Sequence, residues 1–340
     1  MKVIFMGTPE FSVGTLEALI EAGHEIVLVV TQPDKPKGRG KEVAITPVKA
    51  VALKYNIPVF QPVKVREPVA LLELERYPAD VMVVVAFGQI LPKQVLEMTR
   101  YGCINVHASL LPAYRGAAPI QWAIIHGETK TGITTMQMDE GLDTGDMILK
   151  EEVIITSDET GASLHDKLAA VGASLCVKTL KAIEEGRATF EKQEETTTEY
   201  ASMLKKEMGR VDWNKSAVEI ERLIRGMNSW PGAYSLWGSK ELKIWKGKVI
   251  QNLITKDEQA NREPSVGREE KERVPTADIL EINKAKPVAG EIVKVEKKTV
   301  VIQTGEGYLE IIEIQVPGKK KMTVEEFLRG NKLVEGTVLL

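Results

Sequence analysis

The chain reads as an α/β protein, with a Rossmann-like, mostly parallel sheet followed by a small C-terminal OB-like β-barrel domain. Three observations predict this. Apolar strands and amphipathic helices alternate through residues 1–189. The run Val81 to Ala86 is continuously apolar, as in a strand buried on both faces of a parallel sheet. After residue 210 the pattern turns into short strands separated by turns such as Gly238-Ser239, which suits a small barrel.

Each element has its own signal. Val3 to Met6 is the first strand. Val13 to Ala22 is a helix with Leu16, Leu19 and Ile20 on one face and Gly23 as its stop. Strands follow at Ile26 to Val30, Val81 to Ala86, Ile104 to Val106, Ile133 to Met138 and Met147 to Ile155. Ala118 to His126 is a short helix with Pro119 in its first turn. Ala162 to Glu185 is a long helix with Leu164, Leu168, Val171, Leu175 and Ile183 on one stripe. Residues 190–209, including Glu194-Glu195-Thr196-Thr197-Thr198-Glu199, have neither period and read as a linker. In the second domain, 210–340, Ser216 and Glu219 offer a capping box. Strands are expected at Tyr234 to Trp237, Leu242 to Trp245, Gly290 to Val295, Thr299 to Gln303 and Tyr308 to Ile314. Residues 256–275 are almost devoid of apolar side chains and read as a mobile insertion.

Bulk numbers exclude several classes. At 43% hydrophobic and 27% charged residues the composition is that of a soluble globular protein. A net charge of -3 argues against a polybasic nucleic-acid binder, though not against a local basic patch. Cys103 and Cys176 lie in apolar surroundings without CxxC spacing, which fits a reducing cytoplasm. No apolar run approaches the ~20 residues that span a bilayer, so no membrane association is expected.

The chemistry concentrates in Ile104-Asn105-Val106-His107-Ala108-Ser109-Leu110-Leu111-Pro112. Strand side chains alternate between faces, so Asn105 and His107 point one way and Ile104 and Val106 the other. An amide donor beside an imidazole at a strand end suits a developing oxyanion. Alone, Asn-x-His is more often a satisfied polar pair; the Leu-Leu-Pro turn and the loop Gly141-Leu142-Asp143-Thr144-Gly145-Asp146 tip the reading toward a site. That loop follows the strand ending near Met138, and loops at the carboxyl ends of neighbouring strands share one crevice. Asp143 is therefore the expected third member, with Asp139 and Asp146 as rivals. Cys103 shares the parity of Asn105 and His107, but an apolar setting makes it a poor thiolate. No Gly-x-Ser-x-Gly elbow, zinc spacing or Gly-x-Gly-x-x-Gly loop is present. His24, His126 and His165 read as structural or boundary residues, and Cys176 as core. Direct transfer between two bound substrates fits better than a covalent intermediate.

Met6-Gly7-Thr8-Pro9-Glu10-Phe11, Thr31-Gln32-Pro33-Asp34, Gly38-Arg39-Gly40-Lys41, Phe87 to Pro92, Asn105 to Pro112, Tyr114-Arg115-Gly116 and the Gly141 to Asp146 loop together resemble the methionyl-tRNA formyltransferases. The match continues through Trp230-Pro231-Gly232-Ala233 into Phe327-Leu328-Arg329-Gly330. The resemblance implies a formyltransferase fold and transfer of a formyl group from 10-formyltetrahydrofolate to the methionyl amine of initiator tRNA, in a cytoplasmic monomer needing no metal. It implies that Asn105, His107 and Asp143 are catalytic. It implies that Ser109, Leu110, Leu111 and Pro112, with Gln89, Ile90 and Leu91, meet the folate. It also implies that the basic loop bearing Lys37, Arg39 and Lys41 enters the tRNA acceptor end, although charge runs are usually just solvated.

In the C-terminal domain, Trp213, Trp230, Trp237 and Trp245 are interleaved with Lys240, Lys243, Lys246 and Lys248, and Lys319-Lys320-Lys321 forms a further cluster. This is compatible with an auxiliary RNA-backbone surface, while core packing is the commoner use of such aromatics. Two other readings remain open: a formyltransferase for a small amine such as glycinamide ribonucleotide or an amino-sugar nucleotide, and a folate- or tRNA-binding module without turnover.

Overall fold

The computed structural model describes residues 1–37, 42–196, 198–250, 253–255, 280–282 and 287–340. The chain divides into two compact units. The first comprises Met1–Ala123, Glu128–Ser157 and Ala162–Met203; the second comprises Ile124–Gly127, Asp158–Gly161 and Leu204–Leu340.

The first unit is built from β1 (Lys2–Gly7), α1 (Val13–Glu21), β2 (Glu25–Val30), β3 (Lys35–Lys37), β4 (Glu42–Ala44), α2 (Pro47–Lys54), β5 (Val59–Phe60), α3 (Pro68–Glu75), β6 (Val81–Val85), α4 (Lys93–Leu96), β7 (Cys103–His107), α5 (Pro119–His126), β8 (Lys130–Gln137), β9 (Met147–Ile154) and α6 (Gly161–Glu184). The last residues of α5 and the first of α6 fall in the second unit. Seven strands form one sheet in the order β5-β2-β1-β6-β7-β8-β9. The pairs from β5 to β7 are parallel, while β7–β8 and β8–β9 are antiparallel. The β6 run is buried at every position, as its unbroken apolar character requires.

Several helices escaped the sequence reading, among them α2, α3 and the short α4. α2 and α3 each begin with Pro at the first helical position, a helix-start signal because its missing N–H has no partner to lose there. Each runs only eight residues, too short for the 3.6 period to stand out.

Parity along β7 decides what the site receives. Ile104 and Val106 face α6, where a Cβ on Gly172 would lie 3.0 Å from Val106 Cγ1. Cys103 shares a face with Asn105 and His107, but at its level α4 covers the sheet. The Cys103 thiol packs with Val95 and Leu96, and burial pushes its pKa up to about 12. It is core and does not line the cavity that Asn105 and His107 border. One step and two steps further along, that face opens.

In the second unit α7 (Ala217–Gly226) starts at the expected capping box: Ser216 Oγ accepts from the Glu219 N–H, and the Glu219 carboxylate accepts from the Ser216 N–H. β10 (Ala233–Trp237), β11 (Lys240–Ile250), β14 (Ile292–Val295), β15 (Val300–Gln303) and β16 (Tyr308–Gln315) form an antiparallel sheet in the order β10-β11-β16-β15-β14. β17 (Met322–Thr323) adds to β16 and leads into α8 (Val324–Leu328), while β12 (Leu253–Thr255) pairs with β13 (Leu280–Ile282). α7 and α8 contribute Ile220, Ile224 and Phe327 to the core beneath the sheet. Trp213 joins that core and donates to Ser235 Oγ at 2.9 Å, and Trp237 meets Phe327 edge-on. Trp230 is exposed, and Trp245 lies under the Lys243 ammonium. The insertion expected at 256–275 lies outside the described residues.

Candidate active site

A cavity of about 640 Å³ opens in the first unit where β6 and β7 end. Phe87, Gly88 and Ile90 border it from the loop after β6, Pro9 and Phe11 from the loop after β1, and Asn105 and His107 from β7. Backbone strain clusters here. Ala86, Tyr114 and Asp143 all hold positive φ, a conformation that costs L residues energy and persists where surrounding contacts impose it.

Asn105 is 8% exposed, and among the described residues nothing pairs with its amide, which is left facing the cavity. His107 is held on both sides. Ser109 Oγ lies 3.0 Å from its Nδ1 and donates its own hydrogen to the Ala113 carbonyl at 2.7 Å. With that hydrogen committed, Ser109 can only accept from the ring, so Nδ1 carries a proton. Nε2 faces two acceptors, the Gly116 carbonyl at 3.3 Å and Asp143 Oδ2 at 3.4 Å. A proton on Nε2 satisfies both, so the surroundings suit the imidazolium.

Asp143 Oδ2 also accepts from the Gly116 N–H at 3.0 Å. Burial raises the Asp143 carboxyl, but the hydrogen bond and charge of His107, the Gly116 N–H and the Arg115 charge together outweigh it and hold the group below the usual carboxylate range. Asp139 instead receives Gly141 N–H and Thr144 Oγ1 within its own loop.

The expected pairing therefore occurs, but not for the expected reason. β8 runs antiparallel to β7, with Ile104 opposite Gln137 and His107 opposite Thr134. The Asp143 loop thus leaves the sheet beside the beginning of β7, not beside its carboxyl end. It reaches His107 by folding back along the open face.

Family models for formyl transferases match residues 1–180, and for the formyl transferase C-terminal domain residues 203–332. A methionyl-tRNA formyltransferase of Agathobacter rectalis is 54% identical over 99% of this chain and 99% of its own length. The chain belongs to the methionyl-tRNA formyltransferase family. A second member, from Lachnospira eligens, is 50% identical over 100% of this chain and 99% of its own. In fold, the chain is similar to a solved N-formyltransferase from Helicobacter canadensis in complex with folinic acid and dTDP-3-aminofucose. That likeness has a TM-score of 0.65 at 18% identity and covers 93% of this chain and 100% of that one.

In this member of the methionyl-tRNA formyltransferase family, the residues expected at the folate site are dispersed. Ile90 borders the cavity and is 73% exposed. Gln89 borders it too, but its side-chain amide binds the Val65 N–H and the Pro62 carbonyl. Leu91 is in the core with Val95 and Leu96. Ser109, Leu110, Leu111 and Pro112 do not line the cavity: Ser109 is fully buried against His107, and Leu111 packs on Met136 and Met147. Of the basic loop, Arg39 and Lys41 and the side chain of Lys37 lie outside the described residues. Its stem, β3 paired with β4, follows Asp34, whose carboxylate is bound by Lys49 and by Gln61 Nε2 at 2.7 Å.

Several residues at the cavity carried no sequence signal. His165 on α6 borders it and meets Phe11 edge-on at 5.2 Å. Tyr200 and Met203 also border it, from the stretch read as a linker. Up to Met203 that stretch belongs to the first unit: the Ala118 N–H donates to the Ala201 carbonyl at 3.1 Å, and Trp122 Nε1 donates to the Ser202 carbonyl at 2.9 Å. Among the described residues no group of His, Cys, Asp and Glu is placed to hold a metal, and no helix is long and apolar enough to cross a membrane.

Proposed function

We propose that the protein transfers the formyl group of 10-formyltetrahydrofolate to the amino group of methionine on initiator tRNA, with Asn105, His107 and Asp143 as the catalytic side chains. The neutral amine attacks the formyl carbon, a new C–N bond forms, and negative charge grows on the formyl oxygen. Asn105 and the His107 imidazolium donate to that oxygen. The bond from the formyl carbon to folate N10 then breaks, and the amine proton leaves by way of the Asp143 carboxylate, directly or through a water, for the departing nitrogen. Tetrahydrofolate and formyl-methionyl-tRNA are the products.

The observation that carries this reading is the convergence of an amide without a protein partner, a doubly held imidazole and a depressed carboxylate on one cavity. Full-length identity of 54% to a methionyl-tRNA formyltransferase supports methionyl-tRNA as the acceptor. Lys37, Arg39 and Lys41 would engage acceptor-end phosphates, and the lysines of β11 would assist. All three proposed catalytic side chains come from one chain, as a monomer needs, and two buried free thiols suit the reducing cytoplasm.

The deciding experiment offers charged initiator tRNA, uncharged tRNA, glycinamide ribonucleotide and an amino-sugar nucleotide as competing acceptors of labelled formyl from 10-formyltetrahydrofolate. Label on the methionyl amine alone supports the reading. Preferential labelling of a small amine, or no transfer to any acceptor, removes it.

A further inference from the structure

Gln193 lies in the periodless stretch after α6, 50 residues from Asp143 in sequence. Its side-chain amide is nevertheless the joint between the two loops that meet over His107. Gln193 Nε2 donates to the Asp143 carbonyl and to the Gly145 carbonyl, each at 2.8 Å. Gln193 Oε1 accepts from Arg115 Nε at 2.9 Å. One planar amide thus clasps the Asp143 loop by its backbone and ties it to the residue before Gly116, whose N–H and carbonyl bind Asp143 and His107. The Asp143 loop needs such a clasp. Asp143 sits at φ +57, and the loop reaches His107 from the far end of β7. The pairing of β7 with β8 ends at Gln137 and does not itself fix where the carboxylate stops.

We propose that Gln193 is a positioning residue for formyl transfer, setting the approach of the Asp143 carboxylate to His107 through its two backbone carbonyls. The inference rests on the assignment of Asp143 and His107 as catalytic groups. Gln193 does not border the cavity, so it acts only through Asp143. Without the clasp the loop relaxes and the carboxylate withdraws from His107 and from the Gly116 N–H. The charged and titratable groups facing Asp143 are His107 from β7, Arg115 from the following loop and Tyr200 from the 198–203 stretch. Loss of the first of these raises the Asp143 carboxyl toward its ordinary range.

The test compares Gln193→Leu, which keeps volume and removes the bonds to Asp143, Gly145 and Arg115, with Gln193→Glu, which keeps the acceptor for Arg115 but sets a carboxylate against two carbonyls. Each is made in the wild-type and in the Asp143→Asn background, and formyl transfer to methionyl-tRNA is followed across pH at temperatures where melting curves show folded protein. Removal of such supporting contacts typically lowers rate about 10–100-fold. The expected result is a loss of that size in kcat for both variants, with KM for both substrates little changed and the acid limb of the pH profile moved to higher pH. In the Asp143→Asn background the same substitutions should cost almost nothing, because the pathway is already cut. An unchanged kcat, or an equal loss in both backgrounds, or a loss with an unmoved acid limb, overturns the role of Gln193. Near-wild-type turnover of Asp143→Asn itself overturns the catalytic reading beneath it, and Gln193 falls with it.

Discussion

Ser109 Oγ stands 3.0 Å from His107 Nδ1 while its own hydrogen is spent on the Ala113 carbonyl. A hydroxyl so committed accepts and cannot donate, and this alone selects the protonated Nδ1. The Ser109 carbonyl is fixed in turn by Thr134 Oγ1 at 2.7 Å, whose oxygen accepts the Leu111 N–H. The segment that the family resemblance assigns to folate contact instead orients the imidazole from beneath the cavity.

Ser109→Ala should lower the transfer rate about tenfold, by freeing the ring to rotate and to change tautomer. Stability should fall by about 1 kcal/mol for the lost hydroxyl bonds. Single-turnover rates and urea unfolding measure the two separately. A loss of stability with an unaltered rate would confine Ser109 to a structural part.

Gly116 permits the loop to close under the 198–203 stretch. A Cβ there would lie 2.6 Å from the Ala201 carbonyl and 2.9 Å from the Tyr200 ring, on a backbone at φ +124. Gly116→Ala should destabilise the protein by about 1–3 kcal/mol and pull the N–H away from Asp143. Thermal melting and the transfer rate should fall together; a wild-type melting temperature would contradict the close approach.

Since Asp143 is depressed in the folded protein, the unfolded chain binds the extra proton first as pH drops. Stability contributed by Asp143 is complete above the ordinary carboxylate value and is lost as pH falls through the lower native value. The difference in urea midpoint between wild type and Asp143→Asn should stay constant from about pH 7 to about pH 5 and shrink below about pH 4. A difference that grows on acidification has the wrong sign for a depressed carboxyl.

How much of this was legible in advance depends on the length of chain each contact spans. The facing of Asn105 and His107 follows from strand parity, and the face change against α6 at Val106 bears it out. Parity also put Cys103 on that face, but not that α4 would cover it, because coverage is set by an element outside the strand. The Gly-flanked loop singled out Asp143, yet the supposed parallel neighbour proved antiparallel. Strand direction is a property of pairing that local composition does not encode. Gln193 and Tyr200 were invisible for a related reason. Their stretch has no hydrophobic period, and its bonds close across long spans, such as the 84 residues from Tyr114 to Thr198.

Arg39 carries the proposed contact with the tRNA acceptor end, on a loop whose base is held by Asp34, Lys49 and Gln61. Arg39→Glu should raise the KM for methionyl-tRNA about tenfold or more, with the penalty largest at low salt and smaller as salt is raised. The KM for 10-formyltetrahydrofolate should not move. An unchanged tRNA KM would remove the loop from tRNA recognition.

The most direct measurement is the single-turnover rate of formyl transfer to saturating methionyl-tRNA by His107→Ala, with folate binding verified in the same preparation. Loss of an oxyanion donor predicts a fall of about 10²–10³-fold with folate affinity retained. A rate within about twofold of wild type would contradict the assignment of the imidazole to the reacting oxygen, and with it the mechanism built on this cavity.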